Sequence, residues 1–244
     1  MPSRVRPMND FDESFDFVDV GSGGGSMCSA LVARTAGKSV LILEKTSLVG
    51  GTTARSGGVM WIPNNRFMKR DGVEDSLEKA MTYLDALVGD HDDAPGATRE
   101  RRQSYVIEGA KMVDFLVEQG IKLNRISYWP DYYDELPGGS ESGRTVVAEL
   151  FNVKELGPWK DKLRPNFMSM MSKLEEMLQL RFLKQSWKSK RIALKVALRT
   201  VGAVLTGKRY VTAGAALQGR MLQAVLKAGV EVRTEAPVGE LIVE

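Results

Sequence analysis

The run Asp16-Phe17-Val18-Asp19-Val20-Gly21-Ser22-Gly23-Gly24-Gly25-Ser26 constrains the fold more than any other part of the chain. A strand-like segment enters a glycine turn, after which Met27, Ala30, Leu31 and Ala33 recur at helical spacing. Leu41-Ile42-Leu43-Glu44 then reads as a second strand. This order predicts a βαβ unit of a parallel α/β sheet that holds the adenosine diphosphate half of a dinucleotide. Gly21 permits the tight turn, and Gly23 lets backbone approach a pyrophosphate beside Ser22 and Gly24. The helix opening near Gly25 directs its free N–H groups and positive end at the phosphates. Glu44, twenty-three positions after Gly21, stands where an acid bonds both ribose hydroxyls, with Lys45 next to it.

Two residues depart from the pattern. Ser26 takes the third glycine position and is small enough for close helix–strand packing. Asp19 interrupts a strand that should be apolar, and a buried, unpaired carboxylate costs several kcal/mol or stays protonated. The sequence offers no account of it.

The next segment separates nicotinamide from flavin. A simple nicotinamide fold runs into a third strand soon after the second. Here Gly50-Gly51-Thr52-Thr53-Ala54-Arg55-Ser56-Gly57-Gly58 places glycine pairs on both sides of a small polar stretch. Gly51, Gly57 and Gly58 leave room for a flat ring, and Thr52, Thr53 and Ser56 can reach phosphate, ribityl and ring edges. We take the flavin reading over an ordinary glycine-rich surface loop. The third strand is expected at Val230–Thr234, after a helix over Ala215–Ala228 that stops at Gly229, and Val238–Val243 alternates like a further, half-exposed strand. Val238 would then meet the adenine edge. The predicted fold class is α/β: a Rossmann-like FAD-binding domain, incomplete, with an inserted α+β substrate-domain portion. Its parts are a disordered tail over 1–14, the βαβ core with helical and loop elements over 15–165, a basic helical insertion over 166–209, and a return to the sheet over 210–244.

Gly50 to Gly58 followed by Val59-Met60-Trp61-Ile62-Pro63-Asn64-Asn65 resembles flavoproteins of the fumarate reductase/succinate dehydrogenase superfamily. Trp129-Pro130-Asp131-Tyr132-Tyr133, Pro137-Gly138-Gly139 and Gly143-Arg144 are similar to its 3-ketosteroid Δ1-dehydrogenases. The resemblance spans most of 15–165 and resumes near 210. It implies FAD and a steroid substrate, with a proton removed beside the 3-keto group and a hydride passed to the flavin, forming a 1,2 double bond. Alone, Tyr132 reads as an aromatic packing residue beside Trp129 and Tyr133; under the resemblance it matches the tyrosine that assists the catalytic base. The family's base, and its carbonyl-anchoring tyrosine and glycine, lie in a C-terminal half beyond these 244 residues. The chain is therefore expected to be an N-terminal portion without turnover of its own. The alternatives are another fumarate reductase-like or 4-ene-forming steroid oxidoreductase, or a non-catalytic remnant. The electron acceptor is not specified.

Some members of that superfamily attach flavin to a loop histidine. The single histidine, His91, lies in an acidic stretch far from Thr53–Gly58, so non-covalent FAD is expected, and no metal site is read from His91 and its aspartates. Cys28 is the only cysteine, which excludes an intrachain disulfide and is compatible with a reducing, cytoplasmic compartment. No secretory signal and no run long enough to span a bilayer stands out.

The net charge of +3 hides an asymmetry: Lys173 to Arg209 carries ten Lys/Arg against two Glu, +8, leaving −5 elsewhere. On a helical wheel Lys184, Lys188, Arg191, Lys195 and Arg199 form one stripe, while Trp187, Leu194, Leu198, Val201 and Leu205 fall on another face. A long basic amphipathic helix over 175–205 serves either as a peripheral contact with the inner face of the membrane or as a cap on the protein's own core. Nucleic acid is not an expected partner. Ser76–Val88 and Thr98–Gln119 have helical periodicity, Ile121–Ile126 reads as a strand, and Gly138–Gly143 reads as a mobile loop at the mouth of the site.

Overall fold

The computed structural model describes residues 11–89, 94–166 and 171–242. His91 lies outside the described residues. The chain opens with β1 (Phe17–Val20), α1 (Gly24–Thr35) and β2 (Val40–Glu44), the predicted βαβ unit. The glycine segment winds into a short α2 (Gly51–Arg55) rather than a loop and leads to β3 (Met60–Trp61). Three helices follow: α3 (Arg66–Arg70), α4 (Leu77–Val88) and α5 (Arg99–Glu118). Ser76 and Thr98 cap α4 and α5 by accepting the N–H of Lys79 and of Arg101, so the predicted starts were each the capping residue itself. β4 (Leu123–Arg125), β5 (Thr145–Ala148) and β6 (Phe151–Asn152) precede 3-10 turns over Val153–Asp161. Then come α6 (Leu174–Leu180), α7 (Trp187–Leu205), β7 (Tyr210–Val211), α8 (Ala213–Lys227) and β8 (Glu231–Thr234).

β2 lies between β1 and β8 in a parallel sheet, with Val18 opposite Leu41 and Leu41 opposite Glu231. α1 packs on β1 and β2, α8 packs on α1, and Met27, Leu31, Ile42, Leu222 and Val225 are buried in the resulting core. Burying each such side chain contributes roughly 1.5–3 kcal/mol. The inserted portion carries an antiparallel sheet ordered β3-β5-β4 and a β6-β7 pair. The α/β fold class is observed.

Several expectations are corrected. Val238–Ile242 forms no strand; Leu241 and Ile242 are exposed, because no neighbouring strand among the described residues meets their backbone. The basic insertion is a hairpin of α6 and α7 rather than one long helix. Arg199 does not belong to a solvated stripe: its guanidinium bonds both oxygens of Glu176, at 2.6 and 2.7 Å, and locks the hairpin. α7 turns Ser189 and Ala203 inward and leaves Trp187, Leu194, Leu198, Val201 and Leu205 outside, so it is not a cap with its apolar face on the core. In the polar N-terminal tail, Glu13 is tied to Arg233 of β8. The structure also accounts for Asp19. It faces α1, where Ser29 donates to its Oδ1 at 2.7 Å, while Oδ2 is buried without a partner among the described residues.

Candidate functional site

The carboxyl end of the parallel sheet opens into a cleft of about 700 Å³. Its walls include Gly21, Ser22, Gly23, Glu44, Lys45, Gly51, Thr52 and Val238, eight of the positions singled out in the sequence. Gly23 is the N-cap of α1, the first turn of which carries no acidic residue. The helix end therefore keeps its positive character toward the cleft. The Gly24 N–H donates to Thr53 Oγ1 at 3.2 Å, which joins the first turn of α1 to α2. Gly51 comes so close to Gly23 that a Cβ on it would stand 3.4 Å from the Gly23 Cα. Gly25 faces outward on α1 and does not line the cleft.

Glu44 sits at the sheet end with both carboxylate oxygens occupied. Oε2 accepts from Ser22 Oγ (2.5 Å) and Ser22 N–H (3.2 Å); Oε1 accepts from Thr46 N–H and Thr46 Oγ1, both at 2.9 Å. Burial raises the Glu44 pKa, but these donors outweigh it and hold the carboxyl below its ordinary value. Glu44 thus braces the glycine turn from within, and Ser22 Oγ extends the brace by accepting the Gly50 N–H at 3.0 Å.

Past α2, the Ser56 hydroxyl donates to Thr53 O and accepts the Gly58 N–H. This loop rests on the start of α8, where the Gly214 N–H reaches Ser56 O at 3.1 Å. The approach requires glycine on both sides. Gly58, at φ +63°, would place a Cβ 2.5 Å from Gly214 N, and a Cβ on Gly214 would stand 1.9 Å from Thr53 O. Gly57 lies between, beside Val59.

The structure adds cleft residues that sequence reading missed. Val20, Leu43, Thr46, Arg55, Arg164, Ala236 and Pro237 complete the walls. Arg164 is held by Thr46 Oγ1 (2.8 Å) and Leu48 O (3.2 Å), and so brings a second cation near Glu44. Arg55 was visible inside the motif; Arg164 gave no local signal.

Val59, at the end of the glycine loop, lines a second cleft of about 310 Å³, walled mainly by aromatic and aliphatic side chains. Trp61, Tyr83, Leu84, Leu87, Trp129, Tyr132 and Tyr133 surround it, with Asp131 and Thr145 at its floor. Tyr132 projects from its rim with 87% of its surface exposed, and its hydroxyl has no hydrogen bond among the described residues. The Gly138–Gly143 segment, expected to be mobile, is pinned: the Asp131 N–H donates to Ser140 O, and a Cβ on Gly138 would stand 2.4 Å from Lys79 O of α4.

The chain is 36% identical to a 3-oxosteroid 1-dehydrogenase of Mycolicibacterium smegmatis over 95% of its own length and 41% of the relative's. It is 33% identical to a 4-oxocyclohexanecarboxylate 2-dehydrogenase of Sinomonas cyclohexanicum, covering 94% of this chain and 37% of that protein. The crystal structure of a 3-ketosteroid Δ1-dehydrogenase from Sterolibacterium denitrificans with 1,4-androstadiene-3,17-dione superimposes with a TM-score of 0.79 at 29% identity, over 94% of this chain and 42% of that one. The chain thus spans about two fifths of the length of these relatives. A family model described as FAD binding domain matches residues 16–244. The chain belongs to the FAD binding domain family, with FAD as its cofactor.

Proposed function

We propose that the chain is the cofactor-holding portion of a flavin-dependent oxidoreductase that desaturates a ring ketone of the 3-ketosteroid Δ1-dehydrogenase type. The observation that carries this reading is the aromatic cleft opening where the glycine loop ends, at Val59. A flat apolar ring seated there would lie beside the loop that faces the isoalloxazine. The relatives from Mycolicibacterium smegmatis and Sinomonas cyclohexanicum act, by their names, on ring ketones, and identity extends across nearly the whole chain.

In this reading Gly21, Ser22, Gly23 and Gly24 present the α1 end to the pyrophosphate, with Gly25 behind them in the first helical turn and Arg55 as an added cation. Glu44 and Lys45 meet the ribose, and Val238 covers the adenine edge. Gly51, Thr52, Thr53, Ser56, Gly57 and Gly58 form the flavin loop. FAD supplies the hydride acceptor. Tyr132 would assist proton removal beside the carbonyl, its exposed hydroxyl directed to groups contributed by the rest of a longer relative.

The test is an anaerobic titration. FAD is added to the purified chain, the visible spectrum recorded, and 4-androstene-3,17-dione then added. Bound flavin with a steroid-induced spectral shift is the expected result. Bleaching would show that the 244 residues suffice for turnover. Bound flavin that ignores the steroid in this chain and in a full-length form would refute the ring-ketone reading.

No helix among the described residues is long and apolar enough to cross a membrane. The outward apolar side of α7, with Lys188, Lys190, Arg191 and Lys195 nearby, supports peripheral contact with an anionic bilayer surface, from which an apolar substrate could load. Co-sedimentation with vesicles containing anionic lipid should be lost in a Leu194→Glu, Leu198→Glu double variant. Equal sedimentation of both proteins would remove this reading.

A further inference from the structure

At the back of the aromatic cleft lies an ion cluster with almost no exposed surface. Arg144, Asp75 and Asp131 have side chains 0%, 1% and 2% exposed. Arg144 Nε and Nη2 donate to Asp75 Oδ2 and Oδ1 at 3.0 and 2.8 Å, and Nη1 donates to Asp131 Oδ2 at 2.7 Å. Nη2 also reaches Gly138 O at 2.9 Å. The remaining carboxylate sites are filled: Asp75 Oδ2 accepts the Asn64 N–H, while Asp131 accepts the Trp61 indole N–H (2.7 Å) and the Ser140 N–H (3.1 Å).

Burying three charges carries a desolvation cost that their attraction does not reliably exceed. Stability is therefore a weak reason for the cluster, and its connections point to another. The guanidinium carbon stands 5.6 Å from the Trp61 ring and 5.5 Å from the Tyr83 ring. One cation thus touches the β3 wall, the α4 wall, the Asp131 loop and the Gly138 turn. Trp61 is fixed further by Tyr105, which stacks on it at 6.1 Å. Lysine could not replace the planar fork, which bonds two carboxylates and a carbonyl while lying against aromatic faces.

The geometry points to Arg144, backed by Asp75, as the positioning residue of the aromatic cleft: it sets the spacing of Trp61, Tyr83 and the Trp129–Tyr133 loop for a flat apolar ring. The ligand class rests on the ring-ketone reading above. Arg144 acts through Asp131 and Trp61 without lining the cleft. Asp75, which also does not line it, is the informative residue to alter.

The experiment uses the full chain with FAD, Asp75→Asn and Arg144→Lys, all held well below their melting temperatures. Asp75→Asn keeps shape and one acceptor oxygen, so it serves if Arg144→Lys fails to fold. Two readouts are taken: affinity for 4-androstene-3,17-dione by tryptophan quenching, and the near-UV circular dichroism band assigned to Trp61 by a Trp61→Phe control. The expected result is loss of the Trp61 band with far-UV signal retained, together with about tenfold weaker steroid binding. Loss of the band in a protein whose wild type ignores the steroid would support the positioning role, and the ring-ketone reading falls with it when a full-length form ignores the steroid as well. A folded Asp75→Asn variant with an unchanged Trp61 band and unchanged affinity would overturn the inference.

Discussion

Replacing Asp19 by leucine should make the protein more stable at neutral pH. The Asp19 side chain sits beneath α1, and the residue is only 9% exposed. One carboxylate oxygen is bonded to Ser29 Oγ; the other has no partner among the described residues. Burial pushes its pKa up, and the single Ser29 bond offsets this only in part. Leucine has similar bulk and removes the orphan oxygen and its charge. The Ser29 hydroxyl is not stranded, because Gly25 O and Ser26 O lie 3.1 and 3.0 Å away. Removing one buried unsatisfied group recovers about 1–3 kcal/mol. For a chain of this size, about 2 kcal/mol corresponds to roughly 4–8 °C in melting temperature. The pH dependence follows from the raised pKa. The native state then holds a proton that the unfolded chain has released, so the wild type is at full strength below about pH 4 and loses stability as pH rises through the raised native value. The advantage of Asp19→Leu should accordingly be greatest at neutral pH and shrink on acidification. Thermal melts of both proteins at pH 4, 5.5 and 7 measure this. A leucine variant less stable at pH 7, or a difference independent of pH, would refute the reasoning.

Three other outcomes are expected. Gln218 on α8 is fully buried with neither amide atom hydrogen-bonded among the described residues, so Gln218→Met should raise stability by about 1–3 kcal/mol in chemical denaturation. Glu176→Gln should loosen the α6–α7 hairpin by about 3 kcal/mol, read as faster hydrogen exchange in α7. Although burial raises the Glu176 pKa, the Arg199 bonds outweigh it and hold it below its ordinary value, so the wild-type pairing persists above about pH 4 and is lost as pH falls through the depressed value. Gly214→Ala forces a methyl group against Thr53 O; overpacking of about 1–3 kcal/mol, falling on the flavin loop, should weaken FAD roughly 5- to 150-fold in a fluorescence titration.

The elements legible in sequence were those specified by nearby residues. Gly21, Gly23 and the Leu41–Glu44 run announced the βαβ unit, and Ser76 and Thr98 marked two helix starts because capping is a local event. Val230–Thr234 was read as a strand and pairs with β2 as such. What escaped depends on distant partners. Asp75 lies 69 residues from Arg144, and nothing around either aspartate signals a shared guanidinium. Arg164 meets Thr46 across 118 positions. The apolar residues of α7 have helical period, but periodicity does not reveal which side a neighbouring element will take; Glu176 turned the Arg199 side inward. Alternation over Val238–Val243 gave the right spacing for a strand, yet a strand also needs a partner.

The pairing of β2 with β8 has a kinetic consequence. Leu41 and Glu231 face each other across some 190 positions of intervening chain. Closing a loop of that length costs about 4–5 kcal/mol of chain entropy before any strand contact compensates it. The β1–α1–β2 unit is made of local contacts and can form early, whereas the wall at Ala236 to Val238 assembles only after the whole insertion has found its place. Cofactor capture would then report the slowest step of folding, and a nucleotide bound to the finished cleft would act chiefly by slowing its reopening.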